Sequence, residues 1–120
     1  MRSVLVVDAA NVVGSVPDGW WKDRGGAARR LHERLLVGDT SFDVIVLVLE
    51  GGAKAGVKAG RDAHVQTVHA PRDGDSTIRN QVTMLRERGD VVTVVTADRA
   101  LAANVAPALV LSPSWLLDQI

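Results

Sequence analysis

Apolar and polar positions follow two rhythms along this chain. Apolar runs rich in β-branched residues stand at Val4 to Val7, where the run is unbroken, at Phe42 to Leu49, broken by Asp43, and at Val91 to Val95, broken only by Thr93. Runs of that length predict strands buried on both faces, the habit of parallel sheets. His64 to Ala70 and Ala108 to Leu111 predict two shorter strands. Between them the spacing turns helical. Ala27 or Ala28, Leu31 and Leu35 predict a helix from about Lys22 to Val37, stopped by Gly38. Gly25 and Gly26 weaken its first turn. Ile78, Val82 and Leu85 predict a second helix from Asp75 to about Arg88, ended by Gly89. A short helix is expected from Asp98 to Val105, broken by Pro107. Ser112 reads as an N-cap with Pro113 in the first turn, opening a last helix over Ser114 to Gln119. Residues 51–60, six of them other than glycine and two of those lysine, predict a mobile loop without the spacing of a phosphate loop.

Strands and helices alternate from end to end, which predicts an α/β fold: a parallel sheet with helices on both faces and right-handed crossovers. A length of 120 residues suits a single domain spanning 1–120. A net charge of zero gives no global sign of a nucleic-acid partner, so that question rests on local patches. With no cysteine, disulfides and thiolate metal sites are excluded. The longest apolar runs are far short of a membrane span, and the N-terminus enters a strand without a secretory pattern. A cytoplasmic location and no membrane partner are the expectations.

The acidic residues change the picture. Asp8 ends the first strand, with Asn11 three residues on; Glu50 ends the second; Asp75 follows the third; Asp98 follows the fourth. In a doubly wound sheet these positions share the carboxyl edge, where ligands bind. Clustered carboxylates repel unless a cation holds them, and oxygen-only ligands favour Mg²⁺ or Mn²⁺ over zinc. Such an ion would polarise a phosphodiester and activate an attacking water. Each residue also has a plainer reading. Asp8 could bond nearby backbone N–H groups in a turn, and Asp75 and Asp98 are each suited to capping a helix.

The segment Val-Val-Asp-Ala-Ala-Asn-Val-Val-Gly-Ser-Val-Pro-Asp-Gly-Trp-Trp, from Val6 to Trp21, resembles the opening of NYN-domain proteins of the PIN-like ribonuclease superfamily. Within it the resemblance is to YacP-like members, and the Pro-Asp-Gly-Trp-Trp extension is similar to an actinobacterial subgroup. Gly74-Asp75-Ser76-Thr77-Ile78 resembles the family's Gly-Asp-Asp-Thr-Ile segment, and Thr96-Ala97-Asp98-Arg99 its Thr-Ser/Ala-Asp-Arg segment. The ending around Trp115 fits the subgroup too. The resemblance implies a three-layer α/β/α sandwich with a Rossmann-like sheet in strand order 3-2-1-4-5. It implies metal-dependent hydrolysis of RNA, with Asp8, Asp75 and Asp98 binding Mg²⁺ or Mn²⁺ and Asn11 beside them. Ser76 departs from the pattern by removing a carboxylate near the metal, and Asp73 is a candidate to compensate.

An RNA partner requires cations near the acidic edge. Lys54, Lys58, Arg72 and Arg99 are the candidates for substrate contact together with Ser76; Lys22, Arg24 and Arg61 are further candidates. Arg99 could equally pair with Asp98. Arg29, Arg30 and Arg34 read as a solvated helix face. Trp20 and Trp21 are placed to stack a base or to pack, and with the last helix they offer a face for a homodimer. Two other readings stand beside the ribonuclease: a non-catalytic RNA-binding module on the same fold, and metal-dependent hydrolysis of a nucleotide phosphoanhydride.

Overall fold

The computed structural model describes residues 1–120. Its centre is β1 (Ser3–Asp8), which pairs in parallel with β2 (Val44–Leu49) on one side and β5 (Val91–Val95) on the other. β4 (Val65–His69) extends the sheet beyond β2, and β6 (Leu109–Leu111) extends it beyond β5, both parallel. These five are the expected strands, and they stand in the expected order 3-2-1-4-5. A sixth strand, β3 (Gly60–Asp62), lies antiparallel on β4, so the full order is β3-β4-β2-β1-β5-β6. The expected loop over residues 51–60 is therefore structured. Gly51–Gly56 winds into 3₁₀ turns and Gly60 opens the edge strand.

Alternation along β1 sends side chains to two separate cores. Leu5 and Val7 meet Val12 of α1 (Ala9–Gly14), Leu31 and Leu35 of α2 (Arg24–Val37), and Leu116 of α5 (Pro113–Gln119). Val4 and Val6 meet Ile78, Val82 and Leu85 of α3 (Gly74–Glu87), and Leu101 and Val105 of α4 (Arg99–Val105). The three-layer sandwich follows directly from a strand that is apolar at each of its four inner positions, Val4 to Val7.

Four boundaries differ from expectation. The chain turns into α1 immediately after Asp8, a helix too short to show a periodicity. α2 begins at Arg24, with Asp23 as N-cap, because Trp20–Lys22 forms a separate 3₁₀ turn. β2 begins at Val44 rather than Phe42, whose ring instead packs edge-on against Trp115 at 6.3 Å. α3 begins at Gly74, so Asp75 lies inside its first turn and Asp73 is the cap. Gly25 and Gly26 mark close approach rather than weakness. A Cβ on Gly56 would run into the Gly25 carbonyl, so the 3₁₀ turns and α2 touch backbone to backbone.

Candidate functional site at the carboxyl rim

β1 is flanked by β2 and β5, whose connections leave to opposite faces of the sheet. The carboxyl end of β1 is thus the topological switch point, where α/β sheets open a crevice. Asp8 stands there, 7% exposed. One of its oxygens accepts from the Asn11 amide at 2.7 Å and the Thr96 hydroxyl at 2.9 Å. The other receives only a long contact, 3.4 Å, from the Asn11 backbone N–H, a weak cap for α1. Burial pushes the Asp8 carboxyl above the ordinary carboxylate range; bonds from Thr96 and Asn11 act against that rise, and the charge of Glu50 adds to it.

Asn11 and Thr96 tie Asp8 to the neighbouring strand end. The Asn11 carbonyl oxygen accepts from the Ala97 backbone N–H at 3.2 Å, and the Thr96 hydroxyl oxygen accepts from the Asp98 backbone N–H at 3.1 Å. Thr96 is buried and was not singled out by sequence reasoning. The signal was there: a threonine at the end of a buried strand, two residues before a helix cap.

The other rim carboxylates have partners of their own. Asp98 caps α4, its Oδ1 accepting from the N–H groups of Ala100 and Leu101 at 2.9 and 3.1 Å. Asp75 pairs with Arg79 at 3.3 Å along α3. Glu50 Oε2 accepts from the Gly74 N–H at 3.0 Å, joining the end of β2 to the start of α3. Asp73 accepts from the Ser76 N–H at 2.7 Å and its hydroxyl at 3.2 Å, which lowers the Asp73 carboxyl from its ordinary value. Ser76 and Asp73 therefore serve each other at the helix start. Arg99 begins α4, exposed, and makes no ion pair with Asp98; the chain's two ion pairs are Arg79–Asp75 and Arg2–Asp90.

Asp8, Asp75 and Asp98 share the rim, but no three carboxylate or imidazole groups gather closely enough to cage an ion. The donor chemistry nonetheless fits a hard divalent cation. Every candidate ligand is a carboxylate oxygen, and Asp8, Glu50 and Asp98 have no basic partner.

A cleft of about 250 Å³ opens beside Asp8, floored by Ala9, Ala10 and Val13 of α1. The Trp20 ring forms one wall with the Arg24 guanidinium over it, 5.0 Å from its centroid; Glu50 and Arg72 line the rest. Trp21 meets Trp20 edge-on at 6.0 Å and is more than half exposed. Lys54, half-buried, lies in the 3₁₀ turns, and Lys58 is exposed beyond them. Arg34 is structural in part, its guanidinium donating to the Ile120 carbonyl at 2.8 Å. His64 and His69 are bound to the carbonyls of Leu35 and Val57 at 2.8 and 2.7 Å. No helix is long and apolar enough to cross a membrane.

No family model and no curated protein matches this sequence. Solved structures do match the fold. Among them is the crystal structure of Rae1 (YacP) from Bacillus subtilis, a point mutant, with a TM-score of 0.71 and 20% identity, covering 97% of this chain and 73% of that one. The two proteins share a fold.

Proposed function

We propose that this protein is a ribonuclease of the PIN-like kind that hydrolyses RNA phosphodiester bonds at the rim around Asp8 with the aid of Mg²⁺ or Mn²⁺. The observation that carries the reading is the Asp8 carboxylate itself. It is buried at the switch point, raised in pKa, held by two neutral side chains and paired with no cation. Such a group is unfavourable for folding alone, and rim carboxylates in this state suit a site that meets positive charge from outside. The resemblance of the Asp8–Asn11, Asp75 and Asp98 segments to YacP-like NYN proteins supports the same reading, and the shared fold with a protein bearing that name is consistent with it.

Asp8 would hold the ion, with Asp75 and Asp98 the further carboxylates of the rim; when bound it would supply Lewis-acid polarisation of the phosphate and a more acidic water. Asn11 and Thr96 act as positioning residues that fix the orientation of Asp8. Lys54, Lys58, Arg72 and Arg99 offer positive charge to the strand. Cleavage of single-stranded RNA with Mg²⁺ or Mn²⁺ is expected, lost with EDTA and lost in Asp8→Asn. Activity that persists through either change sinks the proposal. The spread of the carboxylates favours one second reading, an RNA-binding module without catalysis. It predicts salt-sensitive RNA binding with no turnover at any metal concentration.

A further inference from the structure

The cleft beside Asp8 has a composition that the cutting reaction does not require. Its floor is apolar, its wall is an aromatic ring under a planar cation, and an acidic group stands at its side. We infer that this cleft seats one unstacked nucleobase of a single strand, laid against the Trp20–Arg24 stack. The inference rests on the ribonuclease reading only for which polymer supplies the base.

Three observations converge. The volume of about 250 Å³ lies just under the ~300 Å³ at which drug-sized sites begin, so it suits one base rather than two. Arg24 has no carboxylate partner, since both ion pairs of the chain lie elsewhere, so its charge is directed only at the Trp20 ring and at whatever enters. Guanidinium planes and indole rings are the surfaces on which single-stranded bases stack. Glu50 uses Oε2 for the Gly74 N–H and makes no bond through Oε1, which leaves an acceptor beside the cleft. A carboxylate acceptor takes a bond from an exocyclic amine, whereas the one edge donor of uracil, N3–H, lies between two carbonyl oxygens that repel it, so adenine, cytosine or guanine is preferred over uracil. Arg72, exposed at the cleft, is placed for the adjoining phosphate. Trp21 is the more exposed indole but does not line the cleft; it supports Trp20 from the edge.

The test is binding, kept apart from cleavage. Labelled single-stranded RNA decamers carrying one abasic site, moved through each position in turn, are titrated by fluorescence anisotropy in EDTA. Wild-type protein should show one position where the abasic site weakens binding about tenfold. Trp20→Ala should weaken binding to intact RNA by the same factor and be indifferent to the abasic site at that position. Trp20→Phe should retain most of the affinity, and it decides the matter with the wild-type scan if Trp20→Ala does not fold. Uracil at the sensitive position should bind several-fold more weakly than the amine-bearing bases, and parity would remove Glu50 from the seat. Free 5′-mononucleotides should compete weakly; tight mononucleotide binding without strand binding overturns the assignment to a strand. A flat abasic scan with cleavage intact removes the seat and leaves the nuclease. A sensitive position without cleavage removes the nuclease and leaves the seat.

Discussion

Asp8 occupies the place where a carboxylate is least at ease, the tip of a strand buried on both faces. Its folded-state pKa lies above the unfolded one, so the unfolded chain releases its proton first as pH rises. The stability this group contributes is therefore present at low pH and is lost as pH climbs from the ordinary carboxylate range through the raised value. Asp8→Asn should melt higher than wild type in EDTA, with a difference that widens across that window and is level above it. Thermal melts at a series of pH values check this, because carboxyls shifted the other way, such as Asp43 and Asp90, are common to both proteins. Thr96→Val removes a donor to Asp8 and an acceptor for the Asp98 N–H. It should cost about 1–3 kcal/mol by denaturant titration and reduce RNA cleavage by roughly 10–100-fold. The positions of Asp8 and Asp98 just beyond buried strands were legible from the sequence because each follows an apolar run, and the helix-capping reading of Asp98 is one the structure shows. Thr96 was not, since a threonine at a strand end is ordinary until its partners are known. The free acceptor of Glu50 was equally hidden, because nothing local links residue 50 to Gly74.

At the scale of elements, periodicity located every long helix and every parallel strand. What it missed were pieces too short to repeat: α1, six residues that bury only Ala9 and Val12, and β3, three exposed residues whose place is set by pairing with β4. The cap of α3 lies two residues before Asp75, although Asp73 and Asp75 both qualify as caps. The Ser76 hydroxyl and N–H together select Asp73. The glycine-rich segment was misread for a physical reason. Glycine reports both freedom and close approach, and only the partner backbone tells them apart. Gly56→Ala should accordingly destabilise by about 1–3 kcal/mol, since its Cβ meets the Gly25 carbonyl. Gly52→Ala, where the new Cβ meets only the Arg24 side chain at 3.4 Å, should fall within about 0.5 kcal/mol of wild type. A pair of urea titrations separates the two.

For the whole molecule, zero net charge means that the proposed RNA affinity has to come from the rim and not from a general field. The replacement of Lys54 and Lys58 together by alanine should reduce the salt slope of RNA binding by about 1.4, two phosphates at ~0.7 each. Mg²⁺ should raise the melting temperature of wild type by mass action and leave Asp8→Asn unmoved, a measurement that needs no substrate. An equal shift in both proteins would place the ion elsewhere. The strand order was legible through family resemblance rather than through any pattern, because pairing partners are chosen by the fold as a whole.

The backbone contact between Gly25 and Gly56 has a wider effect. It welds the turn that carries Lys54 to the opening turn of α2, which carries Arg24. Two shores of the crevice thus travel as one rigid piece, and its width is decided before any guest arrives. Recognition then forfeits little freedom of the host, and the guest must supply the adaptation by leaving its own stack.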